Sequence, residues 1–160
     1  MLENKKILAI TLARGGSKRI PRKNIIKIHN KPLIQYTIDE VKLCPYIDRY
    51  IVSTEDIEIS NICNNLGVEV RIRPEELAQD TTTSAAAIKD VIDNIGEEYD
   101  IIVEIMNTNP LKSYIDINGC LEKLVSTQSD SVISVVRLWD QHLARSKYMQ
   151  NDMLKDCYPE

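Results

Sequence analysis

Phenylalanine is absent from this chain, which carries one tryptophan and seven tyrosines. Aromatic platforms for stacking the bases of single-stranded nucleic acid are therefore poorly supplied. No run approaches the roughly 20 apolar residues that span a bilayer. The N-terminus has no apolar core followed by a small-residue cleavage site. The expectation is a cytoplasmic protein with no membrane partner. Cys44, Cys63, Cys120 and Cys157 stand far apart with no Cys-x-x-Cys pair, and the histidines are His29 and His142. Neither a zinc site nor a disulfide framework is indicated. No repeat, low-complexity tract or Pro/Gly/Ser linker divides the chain, and 160 residues that are 43% hydrophobic suffice for one sizeable core.

A local absence is more telling. Between Asn4 and Ile38 there is no acid, yet nine basic residues occur there: Lys5, Lys6, Arg14, Lys18, Arg19, Arg22, Lys23, Lys27 and Lys31. The whole chain has a formal net charge of −4. A nonspecific nucleic-acid binder would be basic over a whole face. Positive charge confined to one segment favours a small, multiply charged anion, and no nucleic-acid partner is expected.

Apolar runs alternate with helical patterns, the signature of an α/β fold with a mostly parallel sheet and helices on both faces. Strands are expected at residues 6–13, 48–53, 68–72, 100–105 and 131–136. Helices are expected from Pro32 to Val41, starting at Thr54 to Glu58, from Ser84 to Ile95 and from Ile115 to Val125. Residues 137–160 show no clear period.

The first strand opens into Ala13-Arg14-Gly15-Gly16-Ser17-Lys18, followed by Pro21, Lys23 and Asn24. This is neither a Walker A nor a Gly-x-Gly-x-x-Gly fingerprint. It offers a guanidinium, a hydroxyl, ammonium groups and a carboxamide at a strand end, where open α/β sheets place ligands. Gly15 and Gly16 are expected to give the backbone conformations closed to other residues and a close approach to a ligand. A plain solvated basic turn is the alternative.

With five further blocks, this segment resembles the acylneuraminate cytidylyltransferases, or CMP-sialic acid synthetases, and their relatives acting on other nonulosonic acids. The blocks are Lys31-Pro32-Leu33-Ile34, Ile51-Val52-Ser53-Thr54, Arg73-Pro74 with Leu77-Ala78 and Asp80-Thr81-Thr82, Asn109-Pro110-Leu111, and Asp130 to Val135. The resemblance implies a Rossmann-like nucleotidyltransferase fold joining CTP to the anomeric hydroxyl of a keto acid sugar, with Mg²⁺ and release of pyrophosphate. It carries the nucleotide site onto Leu12, Ala13, Arg14, Gly15, Gly16, Ser17, Lys18, Asn24, Arg73, Thr82 and Ser84. Arg14 and Lys23 become the residues that stabilise charge on the phosphates. Phosphoryl transfer needs fixed positive charge more than a protein nucleophile.

Arg73 matches the position that reads cytosine, whose O2 and N3 are acceptors, whereas uracil would set a donor against donors. The hydroxyls at 81–84 also read as an N-cap cluster. Met106 and Thr108 fall on the sugar side. There the family reads Gln-Pro-Thr-Ser-Pro-Leu-Arg and this chain reads Met106-Asn107-Thr108-Asn109-Pro110-Leu111-Lys112. Methionine cannot replace the glutamine's hydrogen bonds, and a lysine at 112 leaves a point charge for a two-pronged carboxylate grip.

The resulting division is a nucleotide-binding α/β domain at 1–136 and, at 137–160, the start of a family extension that is cut short. The resemblance implies a homodimer for a full-length chain. Asp80, Asp100, Asp116 and Asp130 are available acids, but their spacing nominates no metal pair. Two rival expectations stand beside the leading one: a cytidylyltransferase for a different keto acid sugar, and a nucleotide-binding chain without catalysis.

Overall fold

A computed structural model describes residues 2–135, 147–150 and 153–156. Its centre is β1 (Ile7–Leu12), whose Ile7, Leu8, Ala9 and Ile10 are wholly buried. A strand apolar on both faces must be covered on both faces. β1 pairs in parallel with β4 (Arg49–Thr54) on one side and β6 (Ile101–Glu104) on the other. β5 (Glu69–Ile72) extends the sheet beyond β4, giving the order β5-β4-β1-β6.

The chain thus builds outward from β1 through β4 to β5 and then crosses back to β6. Right-handed crossovers running in opposite directions place their helices on opposite faces. Helices α1 (Leu33–Lys42) and α2 (Ile57–Asn65) pack Ile34, Ile38, Ile59 and Cys63 against Val52 on one face. There α4 (Tyr114–Thr127) adds Ile117 and Leu121 beside Ile7 and Ala9. Helix α3 (Ser84–Asn94) brings Val91 onto Leu8, Ile10 and Ile51 on the other face. The expected α/β fold with a mostly parallel sheet and helices on both faces is present, with three helices on one face and one on the other among the described residues.

Helix starts follow local chemistry. Pro32, the residue before α1, has its φ fixed near the value observed, −55°. The Asp56 carboxylate caps α2 by accepting from the amides of Glu58 and Ile59. Thr83 caps α3, and Ser113 with Asp116 forms a reciprocal capping box on α4. The helix α2 therefore starts at Ile57, three residues into the expected Thr54 to Glu58 window, because Thr54 is still paired in β4.

Three features depart from expectation. No strand forms over 131–135, where Ile133 and Val135 are exposed with no ladder neighbour among the described residues; Val136 lies outside those residues. A short hairpin of β2 (Lys27–Ile28) and β3 (Lys31–Pro32) turns through His29 and Asn30, both left-handed at φ 48° and 63°. That is the backbone of a type I′ turn. A second hairpin pairs β7 (Lys147–Gln150) with β8 (Met153–Asp156), in the stretch where no period was read.

Candidate functional site

The four parallel strands end at a cavity of about 280 Å³. It lies where the strand order reverses, which is where open α/β sheets bind ligands. Leu12 and Arg14 reach it from β1, Arg73 from β5, Thr82, Thr83 and Ser84 from the start of α3, and Met106, Asn107 and Thr108 from β6. Ser17, Lys23 and Asn24 complete the wall. Gly16 and Lys18 line an adjoining hollow with Arg14 and Asp80. Ala13 instead turns into the core beside Ile34 and Ile38.

The cationic loop after β1 is held at two points by adjacent acids. Glu55 Oε1 accepts the Gly15 amide at 2.7 Å. Asp56 takes a two-pronged ion pair from Arg22, which sits in the left-handed region at φ 54° and also reaches Glu58. Arg22 is the main cause holding the Asp56 carboxyl below its usual range. The expectation for the glycines needs correction. Neither Gly15 nor Gly16 has a positive φ, and a Cβ on Gly16 would meet open space. Gly15 is required for another reason: a Cβ there would overlap the Asp56 carboxylate. Its close approach is to the protein's own acid, and its amide is already committed.

Charge at the cavity is balanced unevenly. Arg14 pairs with Asp80 at 2.7 Å, and Lys18 also binds Asp80. Lys18 and then Arg14 hold the Asp80 carboxyl below its usual range. Arg73 is almost fully buried and donates from Nη2 to Glu55 Oε2 at 3.1 Å, while its Nε is buried with no partner. Lys23 lines the cavity and makes no ion pair among the described residues. At the start of α3, Thr83 is the cap, Thr82 donates to the Glu76 carbonyl at 3.1 Å, and Ser84 opens the helix. The amides of that first turn add partial positive charge to the wall.

A buried carboxamide chain ties two walls together. Asn107 Nδ2 donates to Asn24 Oδ1 at 2.7 Å, and Asn24 Nδ2 donates to the Arg14 carbonyl at 2.8 Å. Asn24 thus spends its amide on the loop carrying Arg14. Lys112 does not face the cavity as a free point charge. Its ammonium donates to Thr37 Oγ1 at 2.7 Å, the Met106 carbonyl at 2.9 Å and the Asn109 carbonyl at 2.8 Å. Burial pushes its pKa down to about 8, against a smaller rise from Glu40. Met106 remains two-thirds exposed on the cavity wall.

Sequence reasoning passed over Glu55 and Asn107. The available signals were two consecutive acids directly after a strand end, and an amide in a loop that closes onto the first strand. Of the acids considered for a metal, Asp100 accepts the Lys6 amide at 2.8 Å and Asp116 belongs to the α4 capping box. No group of three potential metal ligands occurs among the described residues. Cys44, Cys63 and Cys120 are free thiols.

Comparison with known proteins identifies the family. Residues 8–156 match the family described as cytidylyltransferase. A pseudaminic acid cytidylyltransferase of Campylobacter jejuni subsp. jejuni is 31% identical over 151 residues, covering 92% of this chain and 65% of that protein. An N-acylneuraminate cytidylyltransferase B of Danio rerio is 36% identical over 129 residues, covering 81% of this chain and 30% of that protein. Both relatives are thus longer than the segment they share with this chain. Among solved structures, a CMP:2-keto-3-deoxy-manno-octonic acid synthetase complexed with CTP superposes with a TM-score of 0.69 at 20% identity, covering 78% of this chain and 49% of that one. At that identity the likeness speaks for the fold.

Proposed function

Because the chain belongs to the cytidylyltransferase family, among the acylneuraminate cytidylyltransferases and their relatives, we propose that its cavity binds CTP. The reaction proposed is transfer of CMP to the anomeric hydroxyl of a sialic acid or related nonulosonic acid, with release of pyrophosphate. The observation that carries this reading is the convergence of Arg14, Ser17, Lys23, Arg73 and the α3 N-terminus on one cavity at the strand-order reversal. A strand end with fixed cations on one side and a buried arginine on another suits a ligand with a polyanionic tail and a polar base.

In this reading the Arg73 guanidinium addresses O2 and N3 of cytosine, with the Thr82 and Ser84 hydroxyls close by. Arg14, Ser17, Lys18 and Lys23 serve the phosphates, and Lys23 reaches them without first giving up an acid partner. Asn24 acts by fixing Arg14 and Asn107. The attacking sugar hydroxyl and the leaving pyrophosphate need charge held in place more than they need a protein nucleophile.

Mg²⁺ is part of the proposal as an ion carried by the nucleotide, since it keeps most of its waters and uses one or two carboxylates plus phosphates. Glu104, an acid lining the cavity with no ion pair among the described residues, fits that limited demand. Bound there, the ion would neutralise phosphate charge. The proposal also includes a homodimer of the full-length chain, residues 137–160 as the start of an extension, and a cytoplasmic setting, where CTP is found. Among the described residues no helix is long and apolar enough to cross a membrane.

A second reading within the class concerns the acceptor. Met106, exposed where the family reads glutamine, favours a sugar that presents an apolar group there. Both readings are tested by calorimetry with CTP and UTP beside a pyrophosphate-release assay over a panel of keto acid sugars with Mg²⁺. Equal dissociation constants for CTP and UTP would remove the cytosine assignment. Binding without pyrophosphate release from any sugar would leave a nucleotide-binding chain.

A further inference from the structure

Glu55 follows β4 directly and touches two walls of the cavity at once. One oxygen accepts the Gly15 amide of the cationic loop at 2.7 Å, and the other accepts from Arg73 Nη2 at 3.1 Å. Both partners of the ion pair are withdrawn from water, at 4% side-chain exposure for Arg73 and 15% for Glu55. Among the described residues Glu55 is the sole hydrogen-bond partner of that guanidinium. We propose that Glu55 is a positioning residue for base selection, a carboxylate that aims the Arg73 fork into the cavity while anchoring the loop that carries Arg14.

The argument rests on the reading that the cavity takes CTP. A guanidinium is planar, with five N–H donors in fixed directions. Once Nη2 is bound to a carboxylate, the plane of the fork is set and the uncommitted donors point where a base edge must come. A rotating guanidinium would meet uracil almost as well as cytosine, because it could turn away from the uracil N–H. Discrimination of this kind needs a donor that cannot turn away. Glu55 supplies that restraint, and its charge keeps a buried guanidinium from standing alone. The two-oxygen acceptor also explains the residue type. A glutamine has one acceptor and one donor end, so it would set an N–H against either Gly15 or Arg73. An aspartate is too short to hold both. Since one carboxylate joins the base side to the phosphate loop, tighter engagement of one should favour the other, in reciprocal fashion.

The test is calorimetry with CTP and UTP on the whole chain, comparing wild type, Glu55→Gln, Arg73→Met and the double variant, with circular dichroism and melting as a check on folding. Wild type should favour CTP by about tenfold or more. In Glu55→Gln that ratio should fall by at least about threefold. In the Arg73→Met background the same change at 55 should leave the ratio where Arg73→Met alone put it, since the two act as one device. Should Glu55→Gln fail to fold, Glu55→Asp takes its place with the same expected direction. A folded Glu55 variant with the wild-type ratio overturns the proposal while the CTP reading stands. Equal loss in both backgrounds also overturns it, because Glu55 would then act independently of Arg73. A wild-type chain with no preference for CTP overturns this proposal together with the reading beneath it.

Discussion

At the amino-terminal end of the parallel sheet, basic side chains meet acids and are used up. Lys5 pairs with Asp100, Lys6 with Glu97, and Arg49 with Glu69, while Asp48 accepts the Ile7 amide. At the carboxyl-terminal end the same residue types are arranged around a cavity, and they are not matched one to one. Arg14 and Lys18 share Asp80, Arg73 has Glu55, and Lys23 has none among the described residues. The two ends contain similar chemistry. What separates them is pairing: one end is neutralised pair by pair, whereas at the other two bases share a single acid and Lys23 faces the cavity without an ion pair among the described residues. The unbroken run of nine basic residues seen in the sequence therefore mixes two populations. Lys5 and Lys6 fasten the sheet, Lys31 pairs with Asp39 and Arg22 with Asp56 and Glu58, while Arg14, Lys18 and Lys23 line the cavity or the hollow beside it.

The comparison would break most visibly at Arg73. Replacing it by methionine leaves Glu55 withdrawn from water without its counterion, which should cost about 3 kcal/mol in denaturant stability. CTP and UTP affinities should converge in the same variant, read by calorimetry. If stability fell while CTP preference survived, Arg73 would belong with the fastening population.

Lys23→Ala should weaken CTP by about 10- to 100-fold and leave cytidine and the melting temperature nearly unchanged. The matched control, Lys6→Ala, should leave CTP affinity unchanged. Equal effects of the two substitutions would erase the distinction between the ends.

Lys112 sharpens the comparison through pH. Its pKa is lowered from 10.5 to about 8, so between those values the unfolded chain holds the proton that the folded chain has released. Stability contributed by this group is therefore least below pH 8 and climbs as pH rises towards the ordinary lysine range. The slope is at most ~1.4 kcal/mol per pH unit, and smaller because the side chain is partly exposed. Denaturant titrations of wild type and Lys112→Met at several pH values should show a difference that moves in wild type's favour with rising pH. A difference that does not change with pH would mean the ammonium is not shielded by the loop.

Asp80→Asn carries the smallest expected effect. It removes an acid that competes for Arg14 and Lys18, so CTP should bind about threefold more tightly at low salt, and the gain should fade as salt screens the exposed pair. Weaker CTP binding would instead make Asp80 a participant in nucleotide or Mg²⁺ binding.

The sheet and its helices were legible because their apolar periodicity is local. β1, β4, β5 and β6 and the three helices α1, α3 and α4 lie within a few residues of where alternation and caps place them. The stretch at 131–136 misled because Val-Ile-Ser-Val has strand composition, and composition does not supply a neighbouring ladder. The two hairpins escaped notice because two- and four-residue strands carry too few side chains to show a period. At the site, residue types at the ends of strands were readable. What they touch was not, since Gly15 meets Glu55 across 40 positions and Asn24 meets Asn107 across 83. Gly15 illustrates the limit well. Its necessity was visible in the sequence, but the reason, an acid from the next strand end pressing on its α-carbon, exists only after folding.

Among the described residues helix α3 stands alone on its face of the sheet, with Ala87 and Val91 as its buried residues, and its first turn lines the cavity. Such an element is fastened by little apolar contact and should open at a lower free energy than β1, which is enclosed on both sides. Amide hydrogens along α3 would then exchange with deuterium well before those of β1. A ligand seated against the first turn binds the closed helix and not the open one, so it must slow that exchange in proportion to its affinity. The isolated helix is thus a built-in reporter: occupancy of the cavity can be read as deuterium retention in residues 84–94, even for ligands that undergo no reaction.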